Sequence, residues 1–154
     1  MRLDHDSADL REIVSLNSSR QTRVQMVAEH MRASGEFRWV GLYDVDRERG
    51  LVINIAWSGA GAPAFPTFPI SKGLTSRAIA AKRTINVGDV ARDADYLTAL
   101  GTTRSEIIIP IIGEESGEVV GTLDVESERA NAFTPEVQTF LEGCAKAIRP
   151  LWPK

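Results

Sequence analysis

The strongest pattern of apolar and polar positions runs from Arg104 to Ser127. Two strand-length runs rich in Ile and Val flank a short polar segment between two glycines, which predicts a β-hairpin. Polar and apolar residues alternate in the second run, so its side chains should point to opposite faces of a sheet. The two sets are Glu118, Val120, Thr122, Asp124 and Glu126, and Val119, Gly121, Leu123 and Val125. Acids on one face of an otherwise apolar hairpin predict contact with water or with a ligand.

Helical and strand patterns precede this hairpin. Residues 7–17 and 20–33 have helical spacing, and Gly35 should end the second helix. Residues 37–45 and 51–57 alternate as two strands joined by a polar turn, which predicts an N-terminal antiparallel hairpin. The alternation places one apolar set on a single face of the second strand. That set is Leu51, Ile53, Ile55 and Trp57.

The middle of the chain is less regular. Residues 58–69 are rich in Gly, Ala and Pro, which predicts a long, semi-rigid loop with Phe65 and Phe68 as aromatic anchors. Residues 71–82 predict a short helix, and residues 84–87 predict a short strand. Residues 88–103 predict an irregular segment or one helical turn at 95–100, and this segment could close over a site.

The end of the chain predicts a capped helix. Thr134 should cap it, Pro135 should occupy its first position, and two later prolines should stop it. Helices at both termini and strands between them favour an α+β fold with an antiparallel sheet. Ile107–Ile109 is apolar on both faces, so we expect the terminal helices to cover one face and the loops and short helix the other. Pro110 conflicts with a regular strand, and we expect a β-bulge there.

Length and composition narrow the possible functions. The 154 residues predict a single domain over 1–154, with residues 1–19 as an N-terminal helical extension. A net charge of −3 without a basic stripe argues against a nucleic-acid partner. No apolar run suits a membrane span, and the polar N-terminus lacks the apolar centre of a signal peptide. A lone cysteine and two histidines cannot build a zinc site. We expect a cytoplasmic protein with no metal and no cofactor.

Five motifs resemble those of GAF domains. They are Trp39-Val-Gly-Leu-Tyr43, Gly73-Leu-Thr75, Asn86-Val-Gly-Asp-Val90, Ser105-Glu-Ile-Ile-Ile-Pro110, and Gly121-Thr-Leu-Asp-Val-Glu-Ser127 followed by Phe133-Thr134. Among GAF proteins the chain most resembles the stand-alone free methionine-(R)-sulfoxide reductases, which carry similar Ser-Glu-Ile and Gly-Val-Leu-Asp-Ile-Asp-Ser patterns. The resemblance implies a sheet with terminal helices on one face, often forming a dimer bundle. It also implies a small-molecule pocket on the other face, roofed by loops.

The chain departs from these reductases at their cysteines. The resemblance implies one cysteine where this chain has Thr75, and a nucleophilic one within the stretch 97–104, which contains none. A hydroxyl cannot replace a thiolate here, because sulfoxide reduction needs a sulfur that passes through sulfenic acid to a disulfide. The acids are retained. Glu106 and Asp124 match the family's substrate-holding carboxylates, and Glu126 stands where the family usually has Asp.

We predict that the three acids Glu106, Asp124 and Glu126 hold the cationic end of a ligand, since clustered carboxylates suit an ammonium or amidinium group. The alternative is a structural network of ion pairs. Its neutralising partners would be Arg77, Arg83 and Arg104.

The anionic end of such a ligand would lie near the start of the middle helix, where free backbone N–H groups attract anions. The candidates there are Lys72, Thr75 and Ser76, and simple helix capping is the alternative. Aromatic side chains can wall the same pocket, or they belong to the core. Those candidates are Trp57, Phe65, Phe68 and Tyr96.

The sequence therefore predicts a non-catalytic GAF domain, a sensor or regulatory module that binds a small polar, amino-acid-like ligand. One alternative is an oxidoreductase similar to the free methionine-(R)-sulfoxide reductases. Another is a GAF scaffold used only for protein–protein contact. The terminal helices carry apolar stripes wider than one small sheet requires, which predicts a homodimer. Cys144 is expected to be a buried core or interface thiol.

Overall fold

The computed structural model describes residues 3–35, 37–94, 96 and 101–153. Within these residues the α-helices are α1 (Leu3–Ser15), α2 (Arg20–Gly35), α3 (Gly73–Ala81) and α4 (Pro135–Ile148). The strands are β1 (Trp39–Asp46), β2 (Leu51–Gly59), β3 (Thr67–Pro69), β4 (Ile85–Val87), β5 (Ser105–Ile112) and β6 (Val119–Ser127). Short 3-10 helices cover Val90–Arg92 and Arg149–Leu151. The helical turn predicted at 95–100 lies outside the described residues.

The strands form one antiparallel sheet in the order β3-β2-β1-β6-β5-β4. Both predicted hairpins are present, and they meet where β1 pairs with β6. This pairing joins strands that are far apart in the chain and brings the N-terminal hairpin beside the acids of β6. The predicted α+β class with an antiparallel sheet is confirmed.

Helices α2 and α4 pack on one face of the sheet, and α1 packs against these two helices. The core on this side combines side chains of α2 and α4 with the inward residues of the central strands. Its members include Val27, Met31, Leu141, Cys144, Val40, Leu42, Ile107, Leu123 and Val125. Among the described helices, none is long and apolar enough to cross a membrane. The predicted cover of this face by the terminal helices is confirmed.

The opposite face of the sheet is covered by α3 and the segments around it. Leu74 and Ala78 of α3 pack on Ile108 of β5. A second cluster beside them contains Trp39, Tyr43, Val52, Phe68, Ile79 and Val119. Ile107 and Ile109 enter the helix-side core while Ile108 enters the α3 side, as the run of three isoleucines predicts.

The predicted long loop at 58–69 is wrong in part. β2 extends to Gly59, and residues 67–69 form the edge strand β3 against β2. An edge strand tolerates Pro69 because one side of its backbone needs no ladder hydrogen bond. Phe68 is buried and packs edge-on against Tyr43, with ring centroids 5.9 Å apart. Phe65 is 46% exposed, so the predicted anchor role of this residue is wrong.

A β-bulge changes the predicted faces of β6. Ile111 pairs with Gly121 and Ile112 pairs with Val119, so Val120 is an extra residue in β6. The alternation predicted from the sequence holds from Gly121 to Ser127 but fails before the bulge. Val119, and not Val120, shares the face of Asp124 and packs in the Tyr43 cluster. Val120 packs instead against the helix-side core.

A second bulge has a direct effect on the candidate site. Leu42 pairs with Ala56 but Tyr43 pairs with Asn54, which leaves Ile55 as the extra residue of β2. The Asn54 amide spans the bulge and donates to the carbonyl oxygens of Leu42 (3.3 Å) and Ala56 (3.1 Å). The alternation predicts that Trp57 shares a face with Ile55, and this prediction is wrong. Trp57 lies on the opposite face of the sheet, across from Gly41.

Pro110 stays in regular register with Thr122, so the bulge predicted at Pro110 is wrong in position. The irregularity falls between Ile111 and Ile112. Within the described residues, β4 pairs only with 106–108 of β5, so Pro110 lies beyond the end of β4. The missing N–H of a proline costs little where no partner strand lies alongside.

Candidate functional site

The strand register brings the three predicted acids onto one face of the sheet. Glu106 of β5 is directly opposite Glu126 of β6, and Asp124 lies two residues along β6 on the same face. On its other side, β6 pairs with β1, where Gly41 is opposite Asp124 and Trp39 is opposite Glu126. This face is the one covered by α3.

All three carboxyl groups are buried. Glu106, Asp124 and Glu126 are 5%, 6% and 1% exposed. Among the described residues, no Lys, Arg or His forms an ion pair with any of them. The three arginines predicted as ion-pair partners of these acids form no such pair in the described part of the chain. Arg77 pairs with Asp93 at 3.0 Å, and the residues Arg83 and Arg104 are exposed.

Two hydroxyl groups from the segment that crosses the site hold Glu126. The Thr103 hydroxyl donates to Glu126 Oε1 at 2.5 Å, and the Tyr96 hydroxyl donates to the same oxygen at 3.4 Å. The Tyr96 ring packs on the cluster formed by α3 and Ile108. Predicted residue Tyr96 therefore reaches the acids through its hydroxyl, and Thr103 is a contact that the sequence reading missed.

The surroundings raise the pKa of each carboxyl group. Burial raises the pKa of Asp124 to about 8, and the negative charge of Glu126 adds to the rise. Burial raises the pKa of Glu126 to about 7, against the effect of hydrogen bonds from Thr103, Tyr96 and Glu106. Burial, then the charges of Glu126 and Asp124, raise the pKa of Glu106 well above its usual value. The interaction between the two side chains raises the pKa of Glu106 and lowers that of Glu126.

Two buried oxygen atoms on this face lack a well-directed hydrogen bond. They are Asp124 Oδ1 and Thr122 Oγ1, each almost fully shielded from solvent. The Thr122 hydroxyl lowers the pKa of Asp124, but neither Thr122 Oγ1 nor Asp124 Oδ1 has a hydrogen bond of good geometry. Buried polar atoms are nearly always paired in folded proteins, so this pair of oxygens marks a place where a ligand or water can donate and accept hydrogen bonds.

Trp39 and Tyr43 of β1 belong to this site, although the sequence reading did not assign them to it. Trp39 is fully buried, and its ring lies over Gly41, where an added Cβ would come within 2.2 Å of the ring. The indole N–H of Trp39 donates to the Gly61 carbonyl at 3.0 Å. Tyr43 is opposite Thr122 of β6, and burial, followed by the charges of Asp124, Glu106 and Glu126, raises the pKa of Tyr43. Their alternation with Gly41 was visible, but only the pairing of β1 with β6 puts them beside the acids.

The remaining predicted residues lie around α3 and β2. Thr75 is buried on the sheet side of α3, whereas the Ser76 hydroxyl donates to the Gly73 carbonyl of its own helix at 2.8 Å. Lys72 is exposed at the helix start and makes no side-chain capping bond. Trp57 is partly buried against the Trp39 cluster. Thr75 and Trp57 thus line the covered face, while Ser76 and Lys72 point to other partners or to solvent.

The face of the sheet that carries Glu106, Asp124 and Glu126 (the acid face) is suited to an organic cation. Three carboxyl groups offer several acceptors, and Trp39 and Tyr43 add aromatic surface next to them. Among the described residues, no group of three or more His, Cys, Asp or Glu side chains is arranged to hold a metal ion. A small molecule with N–H donors fits this chemistry better than a bare metal ion.

Comparisons with known proteins place this geometry in a family. The sequence profile of the GAF domain matches residues 17–149. The chain is 27% identical over 122 residues to GAF domain-containing protein A of Dictyostelium discoideum, which covers 79% of this chain and 74% of that protein. It is 29% identical over 115 residues to the free methionine-R-sulfoxide reductase of Saccharomyces cerevisiae, which covers 73% of this chain and 62% of that protein.

Among solved structures, the fold is similar to the free methionine-R-sulfoxide reductase of Neisseria meningitidis in complex with its substrate. The TM-score is 0.87 at 23% sequence identity, over 97% of this chain and 87% of the other. This likeness supports the fold alone, whereas the family profile spans most of the sequence. The chain belongs to the GAF domain family.

Proposed function

We propose that this GAF domain is a non-catalytic sensor or regulatory module that binds a small polar, amino-acid-like molecule. The observation that supports this most is the set of three buried carboxyl groups without a basic partner among the described residues. Burying acids in this way destabilises a fold unless a ligand, proton or cation compensates. A site of that kind is more easily explained by binding than by stability.

The proposed binding mode follows the positions of the side chains. Glu106, Asp124 and Glu126 hold the cationic end, and Trp57 and Tyr96 wall the apolar part of the ligand. Thr75 faces the anionic end from α3. Lys72 and Ser76 contribute only if their side chains turn, because the Ser76 hydroxyl is bound to Gly73 and Lys72 is exposed.

A ligand panel tests this proposal. The probes are amino acids, methionine, free methionine sulfoxide, nucleotides and small anions, measured by thermal shift and calorimetry. We expect stabilisation by an amino-acid-like compound that is lost in Asp124→Asn and Glu106→Gln. The matched control is Glu115→Gln, an exposed acid in the β5–β6 turn. If no compound in the panel binds, the scaffold alternative is favoured.

An oxidoreductase is the second candidate, and its support is the 29% identity to the Saccharomyces cerevisiae reductase. Cys144, the single cysteine, is fully buried in the helix-side core, on the opposite face of the sheet from the acids. This position supports the non-catalytic proposal. An assay with free methionine (R)-sulfoxide and thioredoxin decides between them, since wild-type turnover that Cys144→Ser abolishes would overturn our proposal.

We also propose a homodimer formed through the terminal helices. A groove of about 620 Å³ lies between α1 and α2, lined in part by Ile13, Leu16 and Met26, and Leu16 is 42% exposed. Light scattering after gel filtration tests this, and we expect a dimer that Leu16→Glu weakens. A monomer at all concentrations would exclude it.

A further inference from the structure

Within the part of the chain that the structure describes, the acid face has too little countercharge for three ionised carboxylates. An isolated buried carboxylate carries a large desolvation penalty, so such groups usually become neutral unless they are paired. Glu106 and Glu126 are directly opposite each other across two strands, and Asp124 is on the same face. Three negative charges at this spacing would also repel one another, which adds to the penalty.

We infer that, without a bound ligand, the site holds protons in place of a countercharge, and that a cationic ligand releases at least one of these protons when it binds. The exchange rests on the proposed function, but the storage of protons does not. The unpaired atoms Asp124 Oδ1 and Thr122 Oγ1 support the inference independently, because they give an incoming N–H group acceptors that no residue in the described part of the chain uses.

The titratable groups that face the site are Tyr43 from β1, Glu106 from β5, Asp124 and Glu126 from β6, and Tyr96 from the crossing segment. On α3, Arg77 pairs with Asp93 of that segment. The described residues of β2 and β4 on this face are apolar or amide side chains. Among the described residues, the titratable groups that face the site are therefore carboxyl and phenol groups, and Arg77, the cation on α3, is paired with Asp93.

Proton release makes ligand affinity depend on pH. Near neutral pH the ionised fraction of these carboxyls is incomplete, since the pKa values of Glu126 and Asp124 are about 7 and about 8. Below the pKa of a carboxyl group, its ionised fraction rises about tenfold for each unit by which the pH increases. A ligand that needs this group ionised should therefore bind about tenfold more tightly for each such unit. A neutral ligand would show no such gain.

A tethered cation tests the inference without any ligand. Thr103→Lys places an ammonium group against Glu126, and Thr103→Met is the uncharged control of similar length. Carboxyl carbon NMR, assigned with Glu106→Gln, Asp124→Asn and Glu126→Gln, follows each group through pH. In wild type we expect carboxyl groups of the site to keep protons above pH 6, and we expect Thr103→Lys, but not Thr103→Met, to lower their titration midpoints by at least one pH unit.

Calorimetry supplies the second arm, and it remains decisive if the Thr103 variants do not fold. Free methionine sulfoxide and methionine are titrated between pH 6 and 8.5 in buffers of different ionisation enthalpy. We expect release of about one proton per ligand and an affinity that rises with pH.

The outcomes separate the two proposals. Binding with no proton release and no change of affinity with pH would overturn the inference but leave the proposed function standing. Failure of both compounds to bind, with high carboxyl midpoints that fall in Thr103→Lys, would count against the proposed function and support the inference. If all three carboxyl groups are ionised by pH 5 in the ligand-free protein, the inference is overturned, regardless of which compounds bind.

Discussion

The two hydrogen bonds that hydroxyl groups donate to Glu126 differ in length, and this difference predicts unequal effects on the pKa of Glu126. Thr103 donates at 2.5 Å and Tyr96 at 3.4 Å. Both bonds favour the ionised carboxylate and lower its pKa. We expect Thr103→Val to raise the pKa of Glu126 above about 7, and Tyr96→Phe to raise it less. Carboxyl carbon NMR measures both, with exposed Thr102→Val as the control.

Gly41 is required by the neighbouring indole. A Cβ at this position would lie 2.2 Å from the Trp39 ring and 3.1 Å from Tyr43, and the Trp39 ring is fully buried. We expect Gly41→Ala to displace Trp39 and to lower the free energy of unfolding by about 2 kcal/mol, in the range for overpacked cores. Gly143→Ala is the control, because nothing lies within 4 Å of its Cβ and alanine favours helix α4 by about 1 kcal/mol. Urea unfolding measures both, and an unchanged Gly41→Ala variant would contradict the packing described.

Single residues of the site were predictable where their chemistry was conspicuous. Glu106, Asp124 and Glu126 stand out because acids are rare in apolar strands. Trp39, Tyr43 and Thr103 do not, because an aromatic or a threonine is ordinary in a strand or loop. Their roles depend on which strand lies alongside, and that information is absent from their own stretch of sequence.

At the next level, strands and helices differ in how well their pattern predicts their faces. Helix α4 obeys local rules, and its predicted cap is present. The prediction of which side chains share a strand face is wrong at Val120 and Ile55, because each is an extra residue in only one strand of a pair. A bulge depends on the pairing of two strands, so alternation within one strand cannot reveal it. The same limit explains the misplacement of Trp57.

The cap of α4 gives a direct test of local sequence control. The Thr134 hydroxyl accepts a hydrogen bond from the Val137 backbone N–H at 3.3 Å, and Pro135 follows at the helix start. We expect Thr134→Ala to cost about 1 kcal/mol in the free energy of unfolding, while Thr134→Ser retains most of the stability. Equal losses in the two variants would show that the methyl group, and not the hydroxyl, matters.

For the protein as a whole, the acid face should make the free energy of unfolding depend on pH. Raised pKa values mean that the folded state binds more protons than the unfolded chain at intermediate pH. The free energy of unfolding should therefore fall as pH rises from about 4 to about 8, by at most about 1.4 kcal/mol per pH unit for each such group.

Asp124→Asn removes one of these groups while keeping its shape. We expect the variant to lose less stability than wild type between pH 5 and pH 9, and to be the more stable protein at pH 9. Urea unfolding at several pH values measures this, with Glu115→Gln as the control. A wild-type protein that becomes more stable over this interval would contradict the protonated state of the acid face.

The position of Trp39 also makes the site visible to light. Trp39 pairs with Glu126 across β1 and β6, and its fully buried indole donates a hydrogen bond to the Gly61 carbonyl. An excited indole responds to nearby charge, so loss of a proton from Glu126 should shift its ultraviolet emission. Of the other two tryptophans, Trp57 packs against the same cluster as Trp39, and Trp152 lies near the C-terminal end, beside Arg20. The unlabelled protein should therefore report the ionisation of its own acid face through fluorescence, and Glu126→Gln should remove the part of the response that follows Glu126.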